Sequence, residues 1–224
     1  MTSKEYLRRF GAWPTLCRLV WRMQYPVLGY QRYLCLTLLP NATAPAQELL
    51  PEGFSCRELD IGALEALVAV PESNVRRKDL DRARAEGHAC IGVFAGAELA
   101  SFSLNAPAPT WFDATFRFEF PQGWLYHYMA VTLPPWRGKR LHGLQIAAIQ
   151  RRFAGRAFRG IVALVSSVNY GSHASLGRMG FRHARSFAVL GHPRRQILVW
   201  GRAASPFALV RHGAEYLNQR ESNP

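Results

Sequence analysis

The stretch "PPWRGKRLHGLQ" (residues 134–145) places three cations and two glycines between two apolar segments. The segment before it, "GWLYHYMAV" (123–131), has the composition of a strand, and the segment after it, "LQIAAIQRRF" (144–153), has helical spacing. At such a corner the first backbone N–H groups of the helix are unpaired, and the helix dipole favours an anion. Glycine lets phosphate oxygens approach the backbone, and arginine and lysine add charge-assisted hydrogen bonds. The corner therefore predicts a phosphate cradle, and a solvated basic turn is the alternative.

A second motif follows about thirty residues further on. The apolar run "GIVALVSS" (160–167) is typical of a buried central strand, and "NYGSHASLGRMGF" (169–181) predicts a helix ended by Gly180. Together the two motifs resemble the acyl-CoA-binding signature of the GNAT superfamily of N-acetyltransferases, P-x-x-R-G-x-G-x-G/A followed by N-x-x-S/A-x-x-L-Y-x-x-x-G-F. The matching residues are Pro134, Arg137, Gly138, Lys139, Asn169, Ser172, Gly180 and Phe181. The resemblance extends over 54–200 in element order and is close over 124–182.

The sequence departs from the signature at several positions. Arg140 and His142 stand where the family prefers glycine or another small residue. Leu176 stands where many members carry a tyrosine taken as the general acid, so another group, or the low pKa of the leaving thiol itself, must replace it. The strand exit is one residue longer than usual at Thr132–Leu133, which predicts a β-bulge there.

The resemblance implies an α/β fold with a mixed, mostly antiparallel central sheet flanked by helices. It implies acetyl-CoA, or another acyl-CoA, as co-substrate and direct transfer to an amine. No metal is expected, because the cysteines and histidines lack metal-ligand spacing. The sheet would splay beside the strand before the corner, with the pantetheine arm in the gap and a backbone N–H near Met129–Val131 stabilising the oxyanion. The residues implied as cofactor contacts are Met129, Ala130, Val131, Arg137, Gly138, Lys139, Arg140, Leu141, His142, Gly143, Asn169 and Ser172.

A base must take the proton from the attacking ammonium group. Glu119 and His127 are the first choices in the strands beside the motif, because their ordinary pKa values suit a proton acceptor, and Tyr128 is the third candidate. Each has a structural alternative. Glu119 lies between two phenylalanines, as a solvent-facing residue of an alternating strand would, and His127 between two tyrosines suits a hydrogen-bonded core histidine. Asn169 is also a good helix N-cap.

The chain divides into an extension (1–50) and an acyltransferase domain (54–224). From residue 54 the predicted order of elements is β-α-α-β-β-β-β-α-β-α-β-β, with a terminal helix over "PFALVRHGAEYLNQR" (206–220). The extension mixes arginine with tryptophan and tyrosine and is interrupted by proline, which predicts short helices. Such a segment either lies on a membrane or partner surface or caps the protein's own core. An Ala- and Pro-rich linker is predicted over 41–53.

The charge is uneven along the 224 residues. Residues 1–134 carry 13 Lys/Arg and 13 Asp/Glu, whereas 135–224 carry 15 Lys/Arg against two glutamates, which accounts for the net charge of +13. The positive charge of residues 135–224 attracts phosphates, an acidic carrier protein, an anionic membrane surface or nucleic acid. Nucleic acid is disfavoured, because only charge supports it and no RNA-binding aromatic motif is present. Four dispersed cysteines and no apolar leader predict a cytoplasmic protein, free or peripheral to the inner face of a membrane.

These observations predict an N-acyltransferase that moves an acetyl or other acyl group from acyl-CoA to a primary amine. The expected acceptor is a small molecule such as an amino sugar or amino acid derivative, and a protein N-terminus or lysine remains open. Two alternatives stay open as well. One is an acyltransferase using long-chain acyl-CoA or acyl carrier protein at a membrane surface, and the other is a non-catalytic CoA-binding or scaffold module.

Overall fold

An eight-stranded sheet forms the centre of the computed structural model, which describes residues 3–40, 52–154, 157–191, 196–200 and 206–211. Its strand order is β10-β9-β1-β8-β7-β4-β3-β2, and all neighbours are antiparallel except β7 and β8, which are parallel. The strands are β1 (Gln31–Leu38), β2 (Phe54–Leu59), β3 (Ala89–Ala95), β4 (Glu98–Ala106), β7 (Trp124–Thr132), β8 (Gly160–Ser166), β9 (Arg182–Leu190) and β10 (Ile197–Trp200). The predicted mixed, mostly antiparallel α/β fold is thus confirmed.

A second, three-stranded sheet has the order β11-β6-β5. Its strands are β5 (Thr110–Trp111), β6 (Phe116–Glu119) and β11 (Ala208–Arg211). The helices are α1 (Ser3–Phe10), α2 (Ala12–Leu28), α3 (Arg77–Ala85), α4 (Leu141–Phe153) and α5 (Tyr170–Arg178), with 3-10 turns at Ile61–Ala69, Pro71–Ser73 and Pro134–Trp136. Within the described ranges, no helix combines the length and apolarity needed to cross a bilayer.

The N-terminal segment corrects the predicted domain boundary. Residues 3–28 are helical as expected, but Gln31–Leu38 forms β1, which pairs with β8 on one side and β9 on the other. Cys35, Leu36 and Leu38 of this strand are buried in the core. The tyrosine, leucines and threonine of β1 favour a strand conformation with a buried face. The edges of β8 and β9 supply hydrogen-bond partners for its backbone. Part of the predicted extension is therefore an interior strand of the domain, while the predicted linker lies almost entirely outside the described residues.

The C-terminal helix predicted over 206–220 is also corrected, since Ala208–Arg211 forms a strand against β6. Phe207 and Leu209 are buried there against the aromatic cluster around Phe118. This burial outweighs the helical spacing of the segment, because tertiary contacts routinely override a weak local preference. Residues 212–220 lie outside the described part.

The core lies on both faces of the central sheet, and alternation along the strands divides it. On one face, Leu125 and Ile161 pack with Ile146 and Ile149 of α4. On the other face, the next residues along β7 and β8 join an aromatic cluster with the small sheet, since successive side chains in a strand point to opposite sides. Strands β7 and β8 are thus fixed from both sides, which holds their ends rigidly in place.

Candidate active site

The parallel strands β7 and β8 separate at their carboxyl ends. They pair at Trp124/Gly160, Leu125/Ile161 and Tyr126/Val162, yet both strands continue beyond that register, to Thr132 and Ser166. A cavity of about 370 Å³ lies in the gap. It is lined by His127, Tyr128, Met129, Ala130, Thr132, His142, Gln145, Ala163, Leu164, Val165, Ser166, Asn169, Gly171, Ser172, Ser175 and Leu176. The splayed sheet expected from the sequence resemblance is present.

A β-bulge in β7 shapes one wall of the cavity. Phe102 pairs with Val131 and Leu104 with Tyr128, so two residues of β7, Met129–Ala130, face one residue of β4. Met129 adopts a φ of 48°, which is unusual for a residue with a side chain. The bulge therefore lies earlier than the predicted position at Thr132–Leu133, and it leaves strand backbone unpaired beside the cavity. Val131 follows the bulge, packs with the core cluster around Phe102 and does not line the cavity.

The corner between β7 and α4 carries exposed cations. Gly138 has a φ of 87°, and a Cβ there would meet nothing within 4 Å. The Arg137 side chain donates to the carbonyl oxygen of Thr132 at 3.2 Å, and the Lys139 ammonium group lies over the Trp136 ring, 5.1 Å from its centroid. Arg137, Gly138, Lys139 and Arg140 are exposed and are not part of the cavity wall, whereas the neighbouring Thr132 and His142 line it, so the cations lie at the rim.

Two of the implied cofactor contacts are already used by the fold. The side chain of Leu141 is buried in the core, which leaves only its backbone to meet a ligand. The N–H of Gly143 donates to the carbonyl oxygen of Arg140 at 3.0 Å, so it has a partner within the helix. The corner can therefore present the amides of its first helical residues, but not that of Gly143.

A chain of four polar side chains crosses the α4 side of the cavity. His127 Nδ1 lies 2.8 Å from Asn105 Oδ1, His127 Nε2 lies 2.8 Å from His142 Nε2, and His142 Nδ1 lies 3.1 Å from Ser175 Oγ. Because the Asn105 amide group donates to Ser103, its oxygen faces His127 and must accept. The consistent proton order is then Ser175 to His142, His142 to His127, and His127 to Asn105, with both imidazoles neutral.

Burial controls the charge of this histidine pair. Desolvation lowers the pKa of His142 to about 4, and it lowers the pKa of His127 well below the usual range, with the neighbouring ring adding to the effect. At neutral pH both rings are uncharged. His127 lines the cavity, and it is the hydrogen-bonded core histidine of its structural interpretation, since both of its ring nitrogens have protein partners.

A second chain starts at Tyr128, on the opposite side of β7. The Tyr128 hydroxyl lies 2.6 Å from His88 Nδ1, and His88 Nε2 lies 3.2 Å from Glu86 Oε2. The Glu86 carboxylate also accepts from the Thr110 hydroxyl at 2.6 Å. Since the carboxylate only accepts, His88 carries its proton on Nε2 and its Nδ1 accepts from Tyr128. Burial raises the pKa of Tyr128 and lowers that of His88, so both are neutral.

Glu119 is not brought to the cavity. It lies on β6 of the small sheet, its side chain is 38% exposed, and it forms an ion pair with Arg117 at 3.2 Å. Phe116 and Phe118 point inward on the same strand, so Glu119 is the outward residue of an alternating pattern. Its prediction as the catalytic base is therefore wrong, and its solvent-facing interpretation is right.

The helix α5 closes the cavity from the side of β8. Asn169 caps it, accepting a hydrogen bond from the backbone N–H of Ser172 at 3.2 Å, and both residues line the cavity. Leu176, in the next turn, reaches the cavity and is otherwise buried in the core. The predicted sites at Asn169 and Ser172 are thus placed at the cavity, with the cap explaining their spacing.

Comparisons with known proteins rest on fold. No protein-family model matches the sequence, and no curated protein is significantly similar to it. A tandem GNAT protein from the clavulanic acid biosynthesis pathway is similar with a TM-score of 0.53 and 15% identity, over 77% of this chain and 55% of its own. GCN5-related N-acetyltransferases from Kribbella flavida and Sphaerobacter thermophilus each have a TM-score of 0.50 and 15% identity. The alignment with the Kribbella flavida protein covers 78% of this chain and 63% of its own. The alignment with the Sphaerobacter thermophilus protein covers 86% of this chain and 58% of its own. The chain has the GNAT fold.

The chain spans less than two thirds of the length of each of those three structures. The structure locates two of the departures from the GNAT signature at the corner. Arg140 stands where the GNAT signature has glycine, and it adopts a φ of 58°, the left-handed conformation that glycine adopts without strain. His142 stands at a small-residue position, and its ring fills the space beside His127 with the rings 5.1 Å apart.

The residues present fit an acyl-CoA. Gln145 is fully buried and lines the cavity, and its Oε1 has no hydrogen-bond partner among the described side chains and backbone, while its amide donates to Ser101. An unsatisfied buried acceptor costs free energy unless a ligand supplies a donor, and the amides of a pantetheine arm are such donors. The exposed cations and the open space at Gly138 suit phosphate groups at the mouth.

Several residues of the site are absent from the sequence-based prediction. They are Glu86, His88, Asn105, Gln145 and Ser175, which reach the cavity or its proton chains from elements distant in sequence. Glu86, His88 and Asn105 belong to no short motif, because strand pairing between β3, β4 and β7 brings them to the site, whereas Gln145 ends the first motif. Ser175 alone lies within the second motif, next to Leu176.

Proposed function

We propose that this protein is an N-acyltransferase that transfers an acetyl or other acyl group from acyl-CoA to a primary amine on a small molecule. The separation of β7 and β8 beyond Tyr126/Val162 carries the proposal, since it creates a cavity next to a basic strand-to-helix corner. The unpaired Gln145 acceptor inside and the cations at the rim support a ligand with amides and phosphates. The thioester supplies an activated acyl group: the amine nitrogen forms the new C–N bond while the C–S bond breaks and the thiol leaves.

The amine must lose a proton as it attacks, and the Tyr128 chain provides the route. The Tyr128 hydroxyl oxygen accepts that proton while passing its own to His88 Nδ1, and the proton on His88 Nε2 moves to Glu86. Glu86 has a side chain that is 26% exposed, so it can release the proton to solvent. Tyr128 thus acts in the catalytic role expected of a base, although it remains neutral itself.

The bulge stabilises the developing negative charge on the acyl oxygen. Met129 and Ala130 both line the cavity, and the bulge leaves backbone there without a strand partner. A preorganised N–H aimed at an oxyanion is worth about 3 kcal/mol of barrier lowering. On the far wall, the Ser175 hydroxyl donates its one hydrogen to His142 Nδ1. The coenzyme therefore leaves as a thiolate and takes its proton from solvent, which balances the proton that Glu86 releases.

A non-catalytic CoA-binding module is the second candidate. Two observations favour it: the His142 ring fills space at the first turn of α4, and Leu176 offers no proton donor. Both candidate functions use the same CoA-binding site, but only the acyltransferase would release free CoA from acyl-CoA. Use of a long-chain acyl donor is a variant of the first function, and a cytoplasmic location is part of the proposal.

The test is calorimetric titration of the chain with CoA, acetyl-CoA and palmitoyl-CoA, comparing wild type with Gly138→Asp. Gly96→Asp is a matched control, since Gly96 also has a positive φ and open space at its Cβ but lies in the β3–β4 turn. Binding that Gly138→Asp weakens at least tenfold, and that Gly96→Asp leaves intact, supports the site. Absence of binding by folded wild type overturns it. Release of free thiol in the presence of amines then separates the enzyme from the binding module.

A further inference from the structure

Helix α2 presents an apolar stripe to the outside of the molecule. Trp13, Leu16, Val20, Met23 and Val27 recur at intervals of three and four residues, which places them on one face of the helix. Trp13, Met23 and Val27 are 70%, 77% and 76% exposed. A helix of a self-contained domain normally turns such a face inward, so this one is directed at something else.

The opposite side of the segment attaches it to the domain. The Tyr6 hydroxyl of α1 donates to the carbonyl oxygen of Val168 at 3.0 Å, and the Arg18 guanidinium lies over the Tyr6 ring at 4.4 Å. At the end of α2, Gly29 packs so closely on Gly191 that a Cβ would lie 2.2 Å from its carbonyl oxygen. These contacts fix the orientation of α2, and only Thr15 of its residues is buried.

The exposed apolar surface is concentrated in this segment. Of 14 exposed large apolar residues in the described ranges, nine lie between residues 7 and 30, so the patch is local rather than scattered. A second cavity of about 310 Å³ continues the patch between α2 and the end of β8, lined by residues that include Trp13, Val20, Trp21 and Val168. Apolar surface of this extent on a monomer marks an interaction site.

The same segment is positively charged. Residues 1–40 contain six Lys/Arg and one acidic residue, Glu5. Lys4, Arg8, Arg9 and Arg22 are exposed on α1 and α2. Apolar and aromatic side chains beside arginines match the boundary of an anionic bilayer, where the apolar face enters the acyl region and the cations meet the headgroups.

We propose that α1 and α2 bind the surface of an anionic lipid bilayer, with the α2 stripe lying in the interface. A second copy of the chain fits less well, because a symmetric contact through this patch would bring the same cations of both copies together. The loop Ser166–Asn169, which contacts α1 through the Tyr6–Val168 hydrogen bond, borders both the second cavity and the active-site cavity. Membrane binding would therefore bring the reaction site close to the lipid surface.

The experiment is co-sedimentation of the full chain with vesicles of phosphatidylcholine alone and of phosphatidylcholine with about 30% phosphatidylglycerol, whose headgroups give the surface a negative potential. Met23→Gln/Val27→Gln removes apolar surface without adding charge, and Arg8→Gln/Arg9→Gln removes charge alone. Val210→Gln is the control, because Val210 is an exposed apolar residue on the small sheet. Size-exclusion chromatography with light scattering reports the oligomeric state of each variant.

Wild type is expected to bind the anionic vesicles at least roughly tenfold more tightly than the neutral ones. Arg8→Gln/Arg9→Gln should weaken that binding about 25-fold, roughly fivefold per cation, and Met23→Gln/Val27→Gln should weaken it at least roughly tenfold. Three results overturn the proposal: no vesicle binding by wild type, binding unchanged in both double variants, or a dimer that Met23→Gln/Val27→Gln dissociates without any vesicle binding.

Discussion

The rings of His127 and His142 stack with their Nε2 atoms 2.8 Å apart, in the interior of the protein and at the wall of the cavity. One nitrogen must donate and the other accept, so the contact requires at least one neutral ring. Asn105 and Ser175 complete the chain at either end. The pair contributes a neutral, polar wall, and it makes the folded state sensitive to acid.

The free energy of unfolding should fall as the pH drops from about 6.5 towards 4. Unfolded histidine has a pKa near 6.5, whereas burial lowers the pKa of folded His142 to about 4. Between those values the unfolded chain binds more protons, so stability is fully present above about pH 6.5 and is lost as acid is added. For His142 alone the loss is on the order of 3 kcal/mol.

Urea unfolding at several pH values measures this dependence. His142→Gln should reduce it by the share of His142, while His127 and His88, whose pKa values burial also lowers, keep the remainder. His183→Gln, at an exposed position on β9, serves as the control and should retain the wild-type slope. An identical slope for wild type and His142→Gln would contradict the assignment.

Tyr128→Phe should slow acyl transfer roughly 100-fold, because it removes the first group of the proton chain. His88→Gln should slow it similarly, and both variants should keep most of the CoA affinity, since phenylalanine retains the ring that lines the cavity at position 128 and His88 is not part of the cavity wall. The measurement is thiol release together with calorimetry. Tyr126→Phe is the matched control: Tyr126 stacks on Tyr128 with ring centroids 5.3 Å apart but belongs to the buried aromatic cluster. Full turnover by Tyr128→Phe would remove it from the mechanism.

Arg140→Gly should raise stability and lower affinity for CoA. Glycine adopts the φ of 58° at this position without the cost that arginine bears, which gives a gain of about 1 kcal/mol in the free energy of unfolding. Loss of the cation should weaken CoA binding roughly tenfold. Asn74→Gly, at another positive φ of 54°, is the control, and it should leave CoA affinity unchanged. Unaltered CoA affinity in Arg140→Gly would argue that the cation is not part of the site.

Deletion of residues 1–40 should abolish folding, whereas deletion of 1–28 should not. The longer deletion removes β1, opens the edges of β8 and β9, and takes Cys35, Leu36 and Leu38 out of the core. Each buried aliphatic side chain contributes about 2 kcal/mol, and a domain has only about 5–15 kcal/mol to lose. Circular dichroism with thermal melting distinguishes the two forms. A cooperative melt after the longer deletion would show that β1 is dispensable.

Much of the site could be predicted from local sequence. The glycine–cation corner, the bordering strands and the capped helix at Asn169 depend on residues close in the chain, whose spacing reflects helix and turn geometry. The position of the bulge could not be predicted as well, because it depends on how β4 pairs with β7. Glu119 was open to two interpretations, and only the direction of its strand face distinguishes them.

By itself the sequence determined the local elements around residues 124–182 and the basic corner between them, since hydrophobic spacing, glycine and capping residues act over a few neighbours. Tertiary structure alone decided three things: that residues 31–38 fill the place between β8 and β9, that Ala208–Arg211 extends the small sheet, and that His88 and Glu86 stand behind Tyr128. The reason is common to all three. Strand pairing and buried hydrogen bonds join residues that are distant in the chain, and the local sequence pattern does not specify which distant residue becomes the partner.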